Sequence, residues 1–450
     1  MKMWLPVVLV SLLLGGLPAT HATAGTRPCN SNGNVVLHGM PLVTVDHKCV
    51  QLLCLNGLPI PKLFENANSG CCEFKNTLYA PGQVFLDGCV KMTCEESKWK
   101  PVGNTEFRCK RCEVFNDPHF ISFDRHRFDY HGECTYALTQ EQFSRIPNFG
   151  IFTEFKKCYA VPSCLHRTIF KDNPQLLIGI GYLGLNAPNI YDILINGKKF
   201  TIPGDNYAHR LIVKEEDQDV LVWRQGSCIR ILGSNGLTLQ QCTNSIDIWA
   251  HPDLKNKVNG LCGSPDDNVD NDFTSREKQV FDVEGFAPQE FAESWLTPPG
   301  CPAGRKKGSA KAREVVDKCW GIVEDWNLLS GKCNEAVENV KHNNRPASAP
   351  LIGILRDACT FDLCMIKNGE QNPEPEMDKW LNTVKEMTEQ RIFIETMTEG
   401  CDHAKGECSD IGAPPKPPAH AHTVCDGNGC VVDLLFKPAV FSGNPIRIVR

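Results

Sequence analysis

All 24 cysteines of this chain lie beyond residue 24, and what precedes them sets the chemistry they will meet. Lys2, an apolar run from Met3 to Leu17 and the small-residue pattern Ala22-Thr23-Ala24 make residues 1–24 a signal peptide. That run is shorter than the roughly 20 apolar residues of a membrane span, and no later run is long enough. The expected mature chain is therefore secreted and extracellular, with no membrane span. In an oxidising compartment an even cysteine count reads as a disulfide framework, not a set of reactive thiols. At 450 residues the chain exceeds one domain of about 100–200 residues, so several modules are expected. A net charge of -6 is small for this length and argues against a nucleic-acid partner.

Residues 25–111 are dense in cysteine and turn residues and poor in apolar ones, the texture of modules held by bridges in place of a core. Two half-repeats stand out, with D-H-K-C-V-Q-L-L-C at Cys49 and Cys54 echoed as L-D-G-C-V-K-M-T-C at Cys89 and Cys94. The vicinal pair Cys71-Cys72 sits between them, and Cys29 and Cys109 complete the eight. This set resembles the von Willebrand factor type C group, although it lacks that group's close Cys-X-Cys clustering.

From Cys112 to Cys301 cysteines thin out, and β-branched and aromatic residues recur in short runs between turn signals, which predicts an all-β domain. Asn196-Gly197 and Ser234-Asn235-Gly236 are hairpin turns by composition. If the strands around the second turn pair, Cys228 and Cys242 fall close enough to bridge. Four landmarks then follow in order: C-E-V-F-N-D-P-H-F-I-S-F-D from Cys112, G-E-C-T-Y-A-L around Cys134, V-N-G-L-C-G ending the approach to Cys262, and F-A-E-S-W at Trp295. Their order resembles the von Willebrand factor type D domain. The resemblance implies a β-sandwich with a calcium site, and disulfides joining Cys112 to Cys262, Cys134 to Cys301, Cys158 to Cys164 and Cys228 to Cys242.

The stretch Gly260 to Phe273, G-L-C-G-S-P-D-D-N-V-D-N-D-F, gathers oxygen-bearing side chains with no lysine or arginine among them, as a hard cation requires. Asp266-X-Asn268-X-Asp270 with Glu277 at the twelfth position fits an EF-hand template, but Asn271 stands where the sharp turn needs glycine, and no helix is expected ahead of it. The type D resemblance implies instead that calcium is held by the side chains of Asp117, Asp266, Asn271 and Asp272 and by the backbone carbonyl of Asn268. Ser264 replaces a common asparagine of that pattern. Calcium in such a role is structural, because protein oxygens fill its shell.

Residues 302–318 form a basic linker carrying Arg305, Lys306, Lys307, Lys311 and Arg313, a candidate for a sulfated glycan or a processing protease. Residues 319–410 show helical spacing at Trp320, Val323, Trp326 and Leu329 and again from Met377 to Met397. Their cysteines Cys319, Cys333, Cys359, Cys364, Cys401 and Cys408 resemble the eight-cysteine module that often follows a type D domain, with two of its cysteines missing. Residues 411–450 read as a Pro/His linker, a closed turn from Cys425 to Cys430 and an apolar tail. The expected fold is multidomain and mainly β: small disulfide-rich N-terminal modules, a central β-sandwich and a helical disulfide-rich C-terminal region.

Catalytic motifs are missing from the sequence: there is no Gly-X-Ser-X-Gly elbow and no His-Glu-X-X-His helix. Cys109-X-X-Cys112 has redox spacing but no βαβ setting, and reads as structural. Asn116 replaces the glycine of a self-cleaving Gly-Asp-Pro-His, so cleavage at Asp117-Pro118 is not expected. His126 and His131 read as packing or surface residues, and His420-X-His422 as linker. The sequence thus reads as a non-enzymatic, calcium-binding extracellular protein. By module order it resembles the crossveinless-2 type of bone morphogenetic protein regulator, implying a growth-factor ligand. The alternative is a disulfide-assembled matrix, coagulation or mucin-like component. Venom or immune roles and a luciferase-like oxidase are the remaining readings.

Overall fold

A computed structural model of the protein describes residues 27–31, 34–37, 41–44, 50–63, 70–75, 77–86, 89–102, 109–115, 118–157, 163–182, 191–203, 207–212, 219–283, 285–297, 301, 318–319 and 325–397, with the short pairs 401–402, 407–408, 423–426, 429–432 and 446–447. The chain divides into two compact units, Met1–Glu65 with His420–Phe436, and Asn66–Ala419 with Lys437–Arg450. The cysteine-rich stretch 25–111 is therefore shared between them.

In the first unit the strands Pro41–Thr44, Val50–Leu55 and Leu58–Leu63 make an antiparallel meander, and a disulfide joins Cys29 to Cys54. The last two strands meet at Asn56-Gly57, both with positive φ, as a two-residue hairpin turn requires. Cys425 stands opposite Cys430 in the hairpin of Thr423–Asp426 and Gly429–Val432.

The second unit is built on two large sheets. Their strands are β1 (Lys110–Phe115), β2 (His119–Ile121), β3 (Arg127–Asp129), β4 (Thr135–Glu141), β5 (Gly150–Lys157), β6 (Ser163–Asn173), β7 (Leu176–Tyr182), β8 (Tyr191–Ile195), β9 (Lys198–Phe200), β10 (His209–Ile212), β11 (Asp219–Gln225), β12 (Cys228–Leu232), β13 (Leu237–Cys242), β14 (Ser245–Ala250), β15 (Val258–Asn259) and β16 (Gly285–Phe286). One sheet has nine strands in the order β10-β11-β12-β13-β14-β1-β2-β3-β16, and the other seven in the order β9-β8-β7-β6-β5-β4-β15. All pairings are antiparallel except β3 with β16. Both expected hairpins form: Asn196 and Gly197 take positive φ between β8 and β9, and Ile229 faces Gln241 across β12 and β13.

Period-two alternation decides which side chains meet between the sheets. Val220, Val222, Ile229, Ile231, Leu237, Leu239, Ile246 and Ile248 join the inter-sheet core with Ile151, Phe155, Phe170 and Ile178. The intervening residues of the nine-stranded sheet are buried as well, because its outer face is covered twice. Trp223, Leu221, Leu232 and Trp249 pack with Trp99, Met92 and Phe85 of the cysteine-rich segment, whose bridges are Cys72–Cys94 and Cys89–Cys109. Phe115 and Ile121 instead join the core of a helical region.

That region contains α2 (Trp326–Glu338), α3 (Ala349–Gly369) and α4 (Pro373–Met397), following α1 (Gln289–Ser294) of the sandwich. Ser348 caps α3 by accepting from the Leu351 amide, and Pro350 occupies its first turn. Disulfides Cys319–Cys364 and Cys333–Cys359 brace the helices. Their union with the sheet is ionic as well as apolar. Arg391 of α4 donates to Glu113 at 3.0 Å and Asp247 at 2.5 Å, and Arg111 also donates to Asp247 at 2.8 Å. Burial works against the Glu113 charge, but Arg111, Arg391 and Arg125 outweigh it and hold its carboxyl well below the usual range. His119 of β2 donates to Asp129 at 2.6 Å and to Asp362 of α3 at 2.7 Å; burial opposes its charge, yet the two carboxylates raise it well above the ordinary imidazole value.

Candidate metal centre

The acidic stretch lies at one corner of the sandwich. Leu261 and Cys262 donate their amides to the carbonyls of Ala137 and Leu138 in the middle of β4, and Phe123 donates to the Cys262 carbonyl. The Cys112–Cys262 disulfide ties the same corner to β1. Gly263 turns the chain with φ +71°, and a Cβ there would meet Asp272 Oδ1 at 2.1 Å. Only glycine therefore lets the corner close on that carboxyl.

Beyond the corner the loop wraps around a residue that sequence reasoning missed. Asp124, from the turn between β2 and β3, accepts at Oδ2 from the amides of Asp266 at 3.2 Å and Asn268 at 3.0 Å. Asn271 Nδ2 donates to Asp266 Oδ2 at 2.9 Å, and Ser122 Oγ donates to Asp272 Oδ2 at 2.6 Å. Ser122 and Asp124 both belong to that tight turn, which is closed by the Arg125 amide donating to the Ser122 carbonyl at 3.1 Å. The sequence carries both in I-S-F-D, one residue beyond the N-D-P-H landmark, but nothing local to that segment ties it to the acidic loop.

The arrangement brings Asp266, Asn271 and Asp272 together. Asn268 lies on the rim: its side chain accepts from the Asp270 amide, and its carbonyl accepts from the Asn271 amide at 3.3 Å. Asp117 lies outside the described residues. The EF-hand alternative fails, since Glu277 is turned to solvent and pairs with Arg145 at 3.6 Å.

Among the described residues no three His, Cys, Asp or Glu side chains are grouped closely enough to hold a metal on their own. The donors at this corner are mixed, as calcium accepts. Asn271 Oδ1, Asp272 Oδ1 and Ser264 Oγ are all buried without a hydrogen-bond partner, and Asp124 Oδ1, buried as well, has only the Lys110 ammonium at 3.4 Å. Burial pushes the Asp272 carboxyl up to about 8, against the Ser122 hydroxyl and with the neighbouring Asp124 carboxylate adding to the rise. Burial lifts Asp124 as well, against the pull of Lys110 and the loop amides. Orphaned oxygens beside carboxyls that resist ionising are what a divalent cation relieves, so the residues present fit one.

The other readings from sequence resolve individually. Cys109 is bridged to Cys89 and Cys112 to Cys262, so the Cys-X-X-Cys spacing is no redox pair. Disulfides also join Cys134 to Cys301 and Cys228 to Cys242; Cys164 is disulfide-bonded, while Cys158 lies outside the described residues. His126 faces the Val283 carbonyl at 3.1 Å, and His131 is buried against Phe286 and Phe361. The basic linker 305–313 and His420-X-His422 lie outside the described residues. No described helix is long and apolar enough to cross a membrane.

Residues 112–279 match the family model of the von Willebrand factor type D domain. The chain carries a type D domain. Similarity to curated proteins runs further: the chain is 24% identical to human Mucin-5B over 344 residues, 27% identical to human Mucin-5AC over 347, and 26% identical to Mucin-6 of Gallus gallus over 329. These alignments take in 72%, 72% and 70% of this chain but only 5%, 5% and 25% of the relatives' own lengths. The corner described above thus belongs to the type D domain, between the strand that opens the match at Cys112 and the loop after Cys262.

Proposed function

We propose that the protein is a secreted, disulfide-stabilised structural component of an extracellular assembly, mucin-like or matrix-like, whose type D domain is braced by calcium. The observation that carries this is the similarity to mucins, which extends over 70–72% of the chain, well past the type D match. It favours the structural reading over the regulation of growth factors, which rests on module order alone. On this reading the chain is not an enzyme, its partners are other extracellular proteins, and the 305–313 linker is an accessory glycan contact. Asp124, Asp266, Asn271 and Asp272, with Asp117 and the Asn268 carbonyl, would hold the ion. Calcium supplies there a positive charge that compensates buried carboxylates.

Among the described residues no cysteine is free, so covalent assembly through any of these would proceed by exchange at an existing bridge. The test is the size of the exported protein with calcium and with a chelator, by light scattering and by non-reducing electrophoresis. Species larger than a monomer in calcium support assembly. A strict monomer in both conditions that retains a bone morphogenetic protein in a pull-down would return the regulator reading to first place.

A further inference from the structure

A lysine stands at the mouth of the candidate metal centre. Lys110 opens β1, between Cys109, bridged to the cysteine-rich segment, and Cys112, bridged to the corner itself. Its Nζ lies 3.4 Å from Asp124 Oδ1, the otherwise unpartnered oxygen of the carboxylate around which the loop is wrapped, and it also pairs with Asp267. The Lys110 side chain is 35% exposed, whereas that of Asp124 is only 3% exposed, so this ammonium reaches inward to a buried acceptor. Lys255, 3.8 Å from Asp267, makes only the outer contact. Asp267 holds both from a left-handed backbone at φ 69°.

We infer that Lys110 is a tethered competitor for the metal centre: its ammonium occupies the Asp124 carboxylate when no ion is present and sets the affinity with which calcium binds. The inference rests on the calcium reading given above. A fixed positive charge beside the site both repels an incoming cation and holds the carboxylate it needs. Because Lys110 lies between two bridged cysteines, its backbone stays beside the site, while its flexible side chain can swing the ammonium off Asp124 when an ion takes its place. The chain thus carries an affinity-lowering charge that its acidic loop, read alone, does not reveal.

The test is calcium titration by calorimetry on the full exported chain, wild type against Lys110→Met, Lys110→Arg and Lys255→Met. Lys110→Met is expected to bind calcium at least about ten-fold more tightly, a fraction of the Coulomb interaction between unit charges a few ångströms apart near a protein surface. Lys110→Arg should stay within about two-fold of wild type, and Lys255→Met should change affinity less than Lys110→Met does. Midpoints of thermal unfolding in a chelator confirm that each variant is folded, and the rise in midpoint with added calcium gives a second measure of affinity. If wild type binds calcium and folded Lys110→Met binds it no more tightly, the competitor role is overturned and the metal centre survives. If wild type shows no saturable binding, the metal centre and the competitor role fall together.

Discussion

At the scale of single residues, the corner shows how one carboxyl can oppose the fold or support it, depending on an ion. Asp272 is 1% exposed, one oxygen held by Ser122 and the other pressed against Gly263, and its carboxyl resists ionising. Asn in its place removes the cost of a buried charge while keeping the shape and an oxygen. In a chelator near pH 8, Asp272→Asn should therefore melt at or above wild type; in saturating calcium it should melt below, by several degrees on the scale of about 2–4 °C per kcal/mol for domains of this size. Calorimetric unfolding of both proteins in both buffers checks the sign reversal, and a uniform loss in both would show that Asp272 is only a packing residue. The loop half of this site was legible because Asp266 to Asp272 are contiguous. Ser122 and Asp124 were not, since their role depends on a chain crossing that brings positions some 140 residues apart into hydrogen-bond contact.

At the scale of elements, the strands were readable and their surroundings were not. Hairpin turns such as Asn196-Gly197 declare themselves by the positive φ they demand, and alternating residues place one face of each strand in a core. What sequence could not convey is that the nine-stranded sheet is buried on its second face too. Trp223, Arg230 and Trp249 lie there, with the Arg230 guanidinium 5.7 Å from one indole ring and 4.6 Å from the other. A charged residue on a strand normally signals solvent, but this one is 3% exposed. The helices are joined to the same face by Arg391, which reaches Glu113 and Asp247 from α4. Arg391→Ala should cost about 3 kcal/mol, because it leaves two buried carboxylates with fewer partners. The loss should be read as faster hydrogen exchange across α3 and α4, with β5 to β8 of the seven-stranded sheet remaining protected. Equal loosening of both sheets would show that the helices and the sandwich unfold as one.

At the scale of the whole molecule, two buried histidines give stability opposite dependences on pH. His119, held between Asp129 and Asp362, has its folded value raised, so its contribution is complete below about 6.5 and fades as pH climbs through that raised value. His131 lies beside the same contact without a hydrogen-bond partner for either ring nitrogen among the described residues, and burial pushes it down to about 4. Its neutral form supports the fold: the contribution is present above about 6.5 and is lost as pH falls toward 4, because the unfolded chain takes the proton first. A shift from 6.5 to about 4 corresponds to roughly 3 kcal/mol at the acid end. Histidine-to-phenylalanine substitution at position 131 keeps the stacking on Phe361 and removes the proton acceptor. His131→Phe should thus flatten the fall in stability between pH 6.5 and 4 while leaving the alkaline limb unchanged, as measured by urea unfolding across that range. His119→Gln should do the reverse, lowering stability at acidic pH, where wild type still has its charged bridge, and changing the alkaline limb. Both residues lie where β2 and β3 meet α3, so the two profiles together would report whether the sheet and the helices separate before the sandwich itself opens. An acid limb that His131→Phe does not flatten would place the acid-sensitive protonation elsewhere in the molecule.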